Sequence, residues 1–380
     1  MKKPIHLIAA ARPNFMKIAP LYHALRQERW AEPIIVHTGQ HYDLNMSEAF
    51  FRDLGLPEPH VHLGVGSGSH AEQTGRVMMA YEKILMDTPP ALVVVVGDVN
   101  STAAATLAAV KLGVRVAHLE AGLRSFDRSM PEEINRVVTD ALADILWTPS
   151  QDGDENLLRE GIPQERITRV GNIMIDSLEM LRSTIEARPV FADYGLSQKN
   201  YCVVTLHRPA NVDDPAVLKK ACTLLQQVSR KTELIFPVHP RTRKNLLDYG
   251  LMQLLEKAPS IHCVAPLGYI EFMNLIFNAG LAVTDSGGIQ EETTYLGIPC
   301  LTLRPNTERP ITVTQGTNRL CTLEELPARV DEILEGRRSK GSIPELWDGQ
   351  TAKRVVESIR GVFSLGSGGG NRRKSRPDPV

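Results

Sequence analysis

Short apolar runs alternate with longer stretches of helical periodicity over most of the chain. In the first half the runs are Ile5–Ala9, Ile34–Thr38, Leu92–Val96, Val114–Leu119, Ile145–Pro149 and Ile167–Val170. In the second they are Cys202–Leu206, Leu234–Pro237, Ile261–Val264, Leu281–Thr284 and Cys300–Leu303. Each run is continuous rather than alternating, which predicts strands buried on both faces. Parallel neighbours need crossovers long enough for a helix, and the amphipathic segments between the runs supply them. The pattern predicts an α/β chain of two Rossmann-like domains, residues 1–182 and 201–347, with parallel sheets facing across a cleft. Residues 183–200, with Arg188-Pro189 and the polar run Ser197–Asn200, form the expected linker. Asp348 can cap a last helix, Gln350–Phe363, whose Val355, Val356 and Ile359 share one face; that helix and its cap span residues 348–363. Residues 364–380, glycine-rich and then basic, read as a flexible tail.

Bulk properties narrow the picture. At 380 residues and a net charge of -1, the chain suits two domains and offers no electrostatic footprint for nucleic acid. The run Ala91–Val96 is far too short to span a bilayer, and the amino terminus enters a strand without a secretory h-region. The five cysteines, Cys202, Cys222, Cys263, Cys300 and Cys321, show no CxxC spacing, so buried thiols of a cytoplasmic protein are expected rather than disulfides or a metal site.

Candidate chemistry sits where doubly wound sheets bind ligands, beyond the carboxyl ends of the strands. Arg12, Asn14 and Lys17 follow the first run, Gln40 the second, Gly97-Asp98 the third and Glu120–Arg124 the fourth. In the other half His207-Arg208 and His239-Pro240-Arg241 take the same places. Leu281-Ala282-Val283 runs into Thr284-Asp285-Ser286-Gly287-Gly288-Ile289-Gln290-Glu291-Glu292. Adjacent glycines at the start of a helix expose successive N–H groups beside a partial positive charge, which suits a phosphate or pyrophosphate. Glu292, one turn on, is placed to take a ribose diol.

Together Gly97-Asp98, His118–Arg124, Pro131–Arg136, Gly171-Asn172, Thr284–Glu292 and Thr307–Pro310 resemble the non-hydrolysing UDP-N-acetylglucosamine 2-epimerases, relatives of the GT-B glycosyltransferases, over roughly residues 4–363. The resemblance implies a GT-B-like fold and reversible conversion of UDP-GlcNAc to UDP-ManNAc without an added cofactor. Anti elimination of UDP gives 2-acetamidoglucal, and re-addition inverts C2. It places Asp98, Glu120, Glu132 and His207 at catalytic positions and Lys17 at an active-site lysine. Arg12, Ser286, Gly287 and Gly288 would hold the diphosphate, Arg309 would contact the nucleotide, Glu292 the ribose, and the Phe272 backbone the uracil. Which carboxylate removes the C2 proton is left open. A cytoplasmic homodimer serving polysaccharide biosynthesis is also implied.

Departures from the family pattern matter. In some bacterial relatives a second UDP-GlcNAc acts as an activator, and Gln40, Gln73, Arg208 and His239 correspond to parts of that site. Asp43 stands where those relatives carry glutamine. Ala11-Arg12-Pro13-Asn14-Phe15 replaces a common Thr-Arg-Pro-Glu opening, which leaves room for a modified sugar such as a 2,3-diacetamido uronic acid. The rival readings are a GT-B glycosyltransferase, which would have little use for Asp98, Glu120 and Glu132 together, and a non-catalytic UDP-sugar sensor.

Overall fold

The computed structural model describes residues 2–39, 51–337 and 341–365. Gln40, Asp43 and the expected tail therefore lie outside the described residues, apart from the tail's first two positions, which extend the last helix. Two parallel sheets form. The first contains β1 (Lys3–Ala9), β2 (Ala31–His37), β3 (Val61–His62), β4 (Leu92–Val96), β5 (Val116–Leu119), β6 (Ile145–Thr148) and β7 (Ile167–Arg169) in the order β3-β2-β1-β4-β5-β6-β7. The second contains β8 (Tyr201–Thr205), β9 (Glu233–Pro237), β10 (Ile261–Val264), β11 (Leu281–Thr284), β12 (Cys300–Thr302) and β13 (Asn318–Leu320) in the order β10-β9-β8-β11-β12-β13. Both are the doubly wound arrangement, whose order reverses at β1/β4 and at β8/β11 and leaves a crevice there.

The central strands show why the pattern was readable. Every residue of β4 is buried, because helices cover both faces of the sheet. The pattern missed β3 and β13. Each is an edge strand of two or three residues paired on one side only, and Asn318 and Arg319 give β13 a polar majority. A strand that short carries too few positions for a hydrophobic run to register.

The last helix, Thr351–Leu365, follows the second sheet in sequence but packs on the first half. Val355 and Ile359 are fully buried there, Trp147 Nε1 donates to Ser358 Oγ at 3.0 Å, and Trp347 Nε1 donates to Pro149 O at 2.9 Å. Asp176, in the helix Ile173–Glu186, accepts from the amides of Thr351 and Ala352 at 3.1 and 2.7 Å. A carboxylate at those first amides satisfies orphan donors and opposes the helix dipole. Among the described residues no helix is long and apolar enough to cross a membrane, and all five cysteines are free.

Candidate active site

At the edge of the first sheet, β1 turns into the helix Arg12–Arg26. Asn14 fixes the turn: its Oδ1 accepts from the amides of Ala10 and Ala11 at 3.2 and 3.0 Å, and its Nδ2 donates to Val96 O at 3.1 Å. Lys17, one turn on, is buried and its ammonium pairs with Glu120 Oε2. Gly97 makes that contact possible. It has φ +66°, and a Cβ there would come within 3.0 Å of Lys17 Nζ. Glu120 itself has φ +73°, a left-handed conformation that costs a non-glycine residue about 1–2 kcal/mol. The amides of Glu120 and Ala121 both donate to Trp147 O, which holds the backbone in that turn. Glu120 Oε1 is buried and has no hydrogen-bond partner among the described residues.

Asp98, also from the β4 edge, does not cap the following helix but pairs with Arg136 Nη2 at 2.6 Å. The other arm of Arg136 reaches Glu133 at 2.8 Å, and Asn135 Nδ2 donates to Asp98 O at 2.9 Å. Buried His118 donates from Nε2 to Gly97 O at 2.9 Å and meets Asp140 at 2.6 Å through Nδ1. The Gly97-Asp98 backbone is thus held from two sides. Glu132 lies half-buried in the first turn of the helix Pro131–Leu142, where its charge bears on Arg208 from the second half.

At the second sheet, buried Asp285 organises the β8 edge. It accepts from the amides of His207 and Arg208 at 3.0 and 2.9 Å, from Asn211 Nδ2 at 3.1 Å, and meets His207 Nδ1 at 3.0 Å. Burial works against the Asp285 carboxylate, but His207, the Arg208 amide and Asn211 outweigh it and hold it below the usual range. Ser286 stands at the N-cap of the helix Gly287–Leu296, yet its side chain makes no capping bond. Around Gly288 nothing lies within 4 Å of where a Cβ would sit, whereas a Cβ on Gly287 would strike Glu308 at 2.7 Å and Arg309 at 2.8 Å. A helix N-terminus without a side-chain cap suits an anion in general, and here Glu308 and Arg309 both border it on the Gly287 side while the Gly288 side is open.

Arg309 joins the two edges. It pairs with Glu291 through Nε and with Glu308 through Nη1, each at 2.8 Å. Burial disfavours its charge, but Glu291, Glu308, Glu120 and Asp98 together hold it firmly protonated, and the last two belong to the first sheet. In return, Asp98 is pushed up by burial and pulled below the usual carboxylate range by Arg136, Lys17 and Arg309. Glu292 is the opposite case. Burial, reinforced by Glu291, pushes its carboxyl up to about 7 despite the Tyr269 hydroxyl, which donates to it at 2.8 Å.

Lys17, Asp98, Glu120 and Arg309 are therefore gathered in one electrostatic cluster, and His207 and Arg208 share Asp285. The remaining candidates have other surroundings. Arg12 is exposed on the first turn of its helix. Phe272 packs against the core, and its amide is spent on Gly268 O within the helix Tyr269–Asn278. Gln73 is buried and accepts from Asn100 Nδ2 at 2.8 Å. His239 is an exposed N-cap whose ring lies 5.4 Å from that of His207. Three buried carboxylates in this region, Glu291, Asp285 and Glu308, had no role assigned from the sequence. The available signal was their place inside or beside the glycine-rich motif and the Thr307–Pro310 segment.

Two doubly wound sheets whose edge residues, Glu120 and Asp98 on one and Arg309 on the other, share one electrostatic field define a GT-B-like architecture. Comparison with known proteins narrows this. The family model described as UDP-N-acetylglucosamine 2-epimerase matches residues 23–360. A UDP-N-acetylglucosamine 2-epimerase of Methanococcus maripaludis is 41% identical, covering 94% of this chain and 98% of that protein. A UDP-2,3-diacetamido-2,3-dideoxy-D-glucuronate 2-epimerase of Pseudomonas aeruginosa is 40% identical, covering 87% and 90%. The crystal structure of the Methanocaldococcus jannaschii UDP-GlcNAc 2-epimerase in complex with UDP-GlcNAc and UDP superposes with a TM-score of 0.85 at 40% identity, covering 94% of this chain and 99% of that one. The chain belongs to the UDP-N-acetylglucosamine 2-epimerase family, and it is an epimerase.

Proposed function

We propose that the chain interconverts UDP-GlcNAc and UDP-ManNAc. The observation that carries this reading is the single cluster in which Lys17–Glu120 and Asp98–Arg136 of one sheet share their field with Arg309 of the other. UDP would sit on the second half, its diphosphate at Ser286, Gly287 and Gly288 with Arg12 and Arg309 nearby, its ribose on Glu292 and its uracil along the Phe272 backbone. The sugar would then face Asp98, Glu120, Glu132 and His207. In the forward step a carboxylate takes the C2 proton, the C1–O bond breaks with its electron pair on UDP, and 2-acetamidoglucal forms. Re-addition then puts UDP oxygen back on C1 and a proton on the other face of C2. Cations following the phosphate charge and a positioned base are what this chemistry demands, the base contributing ~10²–10⁴-fold. Closure of residues 1–182 against 201–347 about the 183–200 linker would keep glucal and UDP together and exclude water. The working form is a cytoplasmic homodimer, checked by sedimentation.

A second reading, a 2,3-diacetamido uronic acid sugar, is favoured by the Pseudomonas relative. The Asn14-Phe15 departure no longer supports it, since the Asn14 amide is spent on Ala10, Ala11 and Val96, and Phe15 is buried against His37. Proton NMR with UDP-GlcNAc in D₂O tests the proposal. Deuterium at C2 with UDP-ManNAc appearing is expected. UDP binding without exchange would sink it, and exchange with the diacetamido glucuronate nucleotide instead would establish the second reading.

A further inference from the structure

Glu291 lies four residues after Gly287, on the same face of the helix that carries the phosphate loop. It is buried, its Oε1 meets Arg309 Nε at 2.8 Å, and its Oε2 has no hydrogen-bond partner. The charged groups that bear on it are Arg309 and Glu292 from its own half, with Glu308 beside Arg309, and Glu120 and Lys17 from the facing sheet. Asp98 has Arg136, and Glu308 has Arg304 at 2.8 Å as well as Arg309; Glu120, like Glu291, has one cation, Lys17, and one buried oxygen without a hydrogen-bond partner, and Glu292 has the Tyr269 hydroxyl. Glu291 shares one guanidinium with Glu308 and, among the described residues, holds no other ion-pair partner.

We propose that Glu291 is a positioning residue of this site, holding the Arg309 guanidinium beside the phosphate loop and taking up a proton from solvent on Oε2 when a diphosphate enters. The inference rests on the nucleotide-sugar reading above. Burial already pushes the Glu291 carboxyl above its usual range, and Glu120 adds to this while Arg309 and Lys17 oppose it. A diphosphate near Arg309 adds negative charge inside the same enclosure and draws that cation away from Glu291. Both changes favour the protonated acid. Proton uptake keeps Glu291 from repelling the ligand, and it leaves Arg309 oriented by Glu308.

The test is calorimetric titration of the full chain with UDP-GlcNAc, which has no group titrating near neutrality, in buffers of different ionisation enthalpy. Across the pH range in which the chain stays folded, wild type should take up more protons per ligand than Glu291→Gln wherever the free Glu291 carboxylate is charged, by up to about one. Glu291→Gln, a neutral mimic of the protonated acid, should lose the pH dependence of affinity that this uptake imposes on wild type. Glu291→Asp, which keeps a carboxyl, should restore the uptake. Equal proton counts in wild type and a folded Glu291→Gln would overturn the inference. Absence of any uptake by wild type across that range would do so as well, even if the glutamine variant failed to fold. C2 exchange with equal proton counts removes this inference alone. Absence of both binding and exchange removes the nucleotide-sugar reading beneath it.

Discussion

The two sheets share the order of their first six strands, with β7 added to the first, but have contrasting working edges. At the first, nearly every charge is paired inside the protein: Lys17 with Glu120, Asp98 with Arg136, Arg136 with Glu133, Arg124 with Asp140. At the second, the helix N-terminus after β11 has no side-chain cap and is open around Gly288. One scaffold thus gives two kinds of site. Paired buried charges hold protonation states and geometry, which suits proton transfer, whereas a helix N-terminus without a side-chain cap is suited to an external anion. Arg309 belongs to the second edge but lies in the field of the first, so leaving-group charge and sugar chemistry would be sensed together.

The largest expected effect breaks the first edge alone. Asp98→Asn should lower the rate of C2 exchange by about 10²–10⁴-fold while UDP affinity, measured by calorimetry, stays within a few-fold. A parallel loss of UDP binding would erase the division of labour between the edges. Next is Glu292→Gln at the second edge. With its carboxyl raised to about 7, Glu292 contributes stability that is complete below the ordinary carboxylate range and is lost as pH rises through about 7. Removing the charge should therefore stabilise the protein near pH 8 by about 3 kcal/mol and change little near pH 5, as read by thermal unfolding. The Tyr269 hydroxyl keeps an acceptor in the variant, and the ribose loses its carboxylate, so UDP should bind more weakly. Arg309→Ala should cost about 1.5–3 kcal/mol of UDP affinity, the range of a charged hydrogen bond; an unchanged dissociation constant would remove Arg309 from the diphosphate site. The smallest effect concerns neither site. Ser358→Ala removes the acceptor of Trp147 Nε1 and should cost about 1 kcal/mol of stability with UDP affinity unchanged, marking the last helix as part of the first half.

Much of this molecule could be read before folding. The buried strands β4 and β11 announce themselves because helices on both faces demand continuous apolar runs. The edge strands β3 and β13 do not, since pairing on one side over two or three residues imposes no such pattern. Asp98, Glu120, Lys17 and the Ser286–Gly288 loop were legible as polar residues at strand ends, where this fold binds ligands. Glu291 was in plain view beside Glu292 and passed over, because helical position alone does not say which of two adjacent glutamates turns toward a guanidinium from a distant loop.

Local sequence, then, determined the elements, their parallel pairing and the positions at which chemistry could occur, since burial periodicity and glycine placement act over a few residues. Contacts between distant segments needed the folded chain. Only that fold decided that Asp176 would seat the last helix 175 residues further on, that Glu120 would be held in a left-handed turn by Trp147 O, and that Arg309 would complete a charge cluster begun by Lys17. Those outcomes depend on which buried charges and amides find partners when the sheets come together, and a charge removed from water is stable only where the three-dimensional structure supplies that partner.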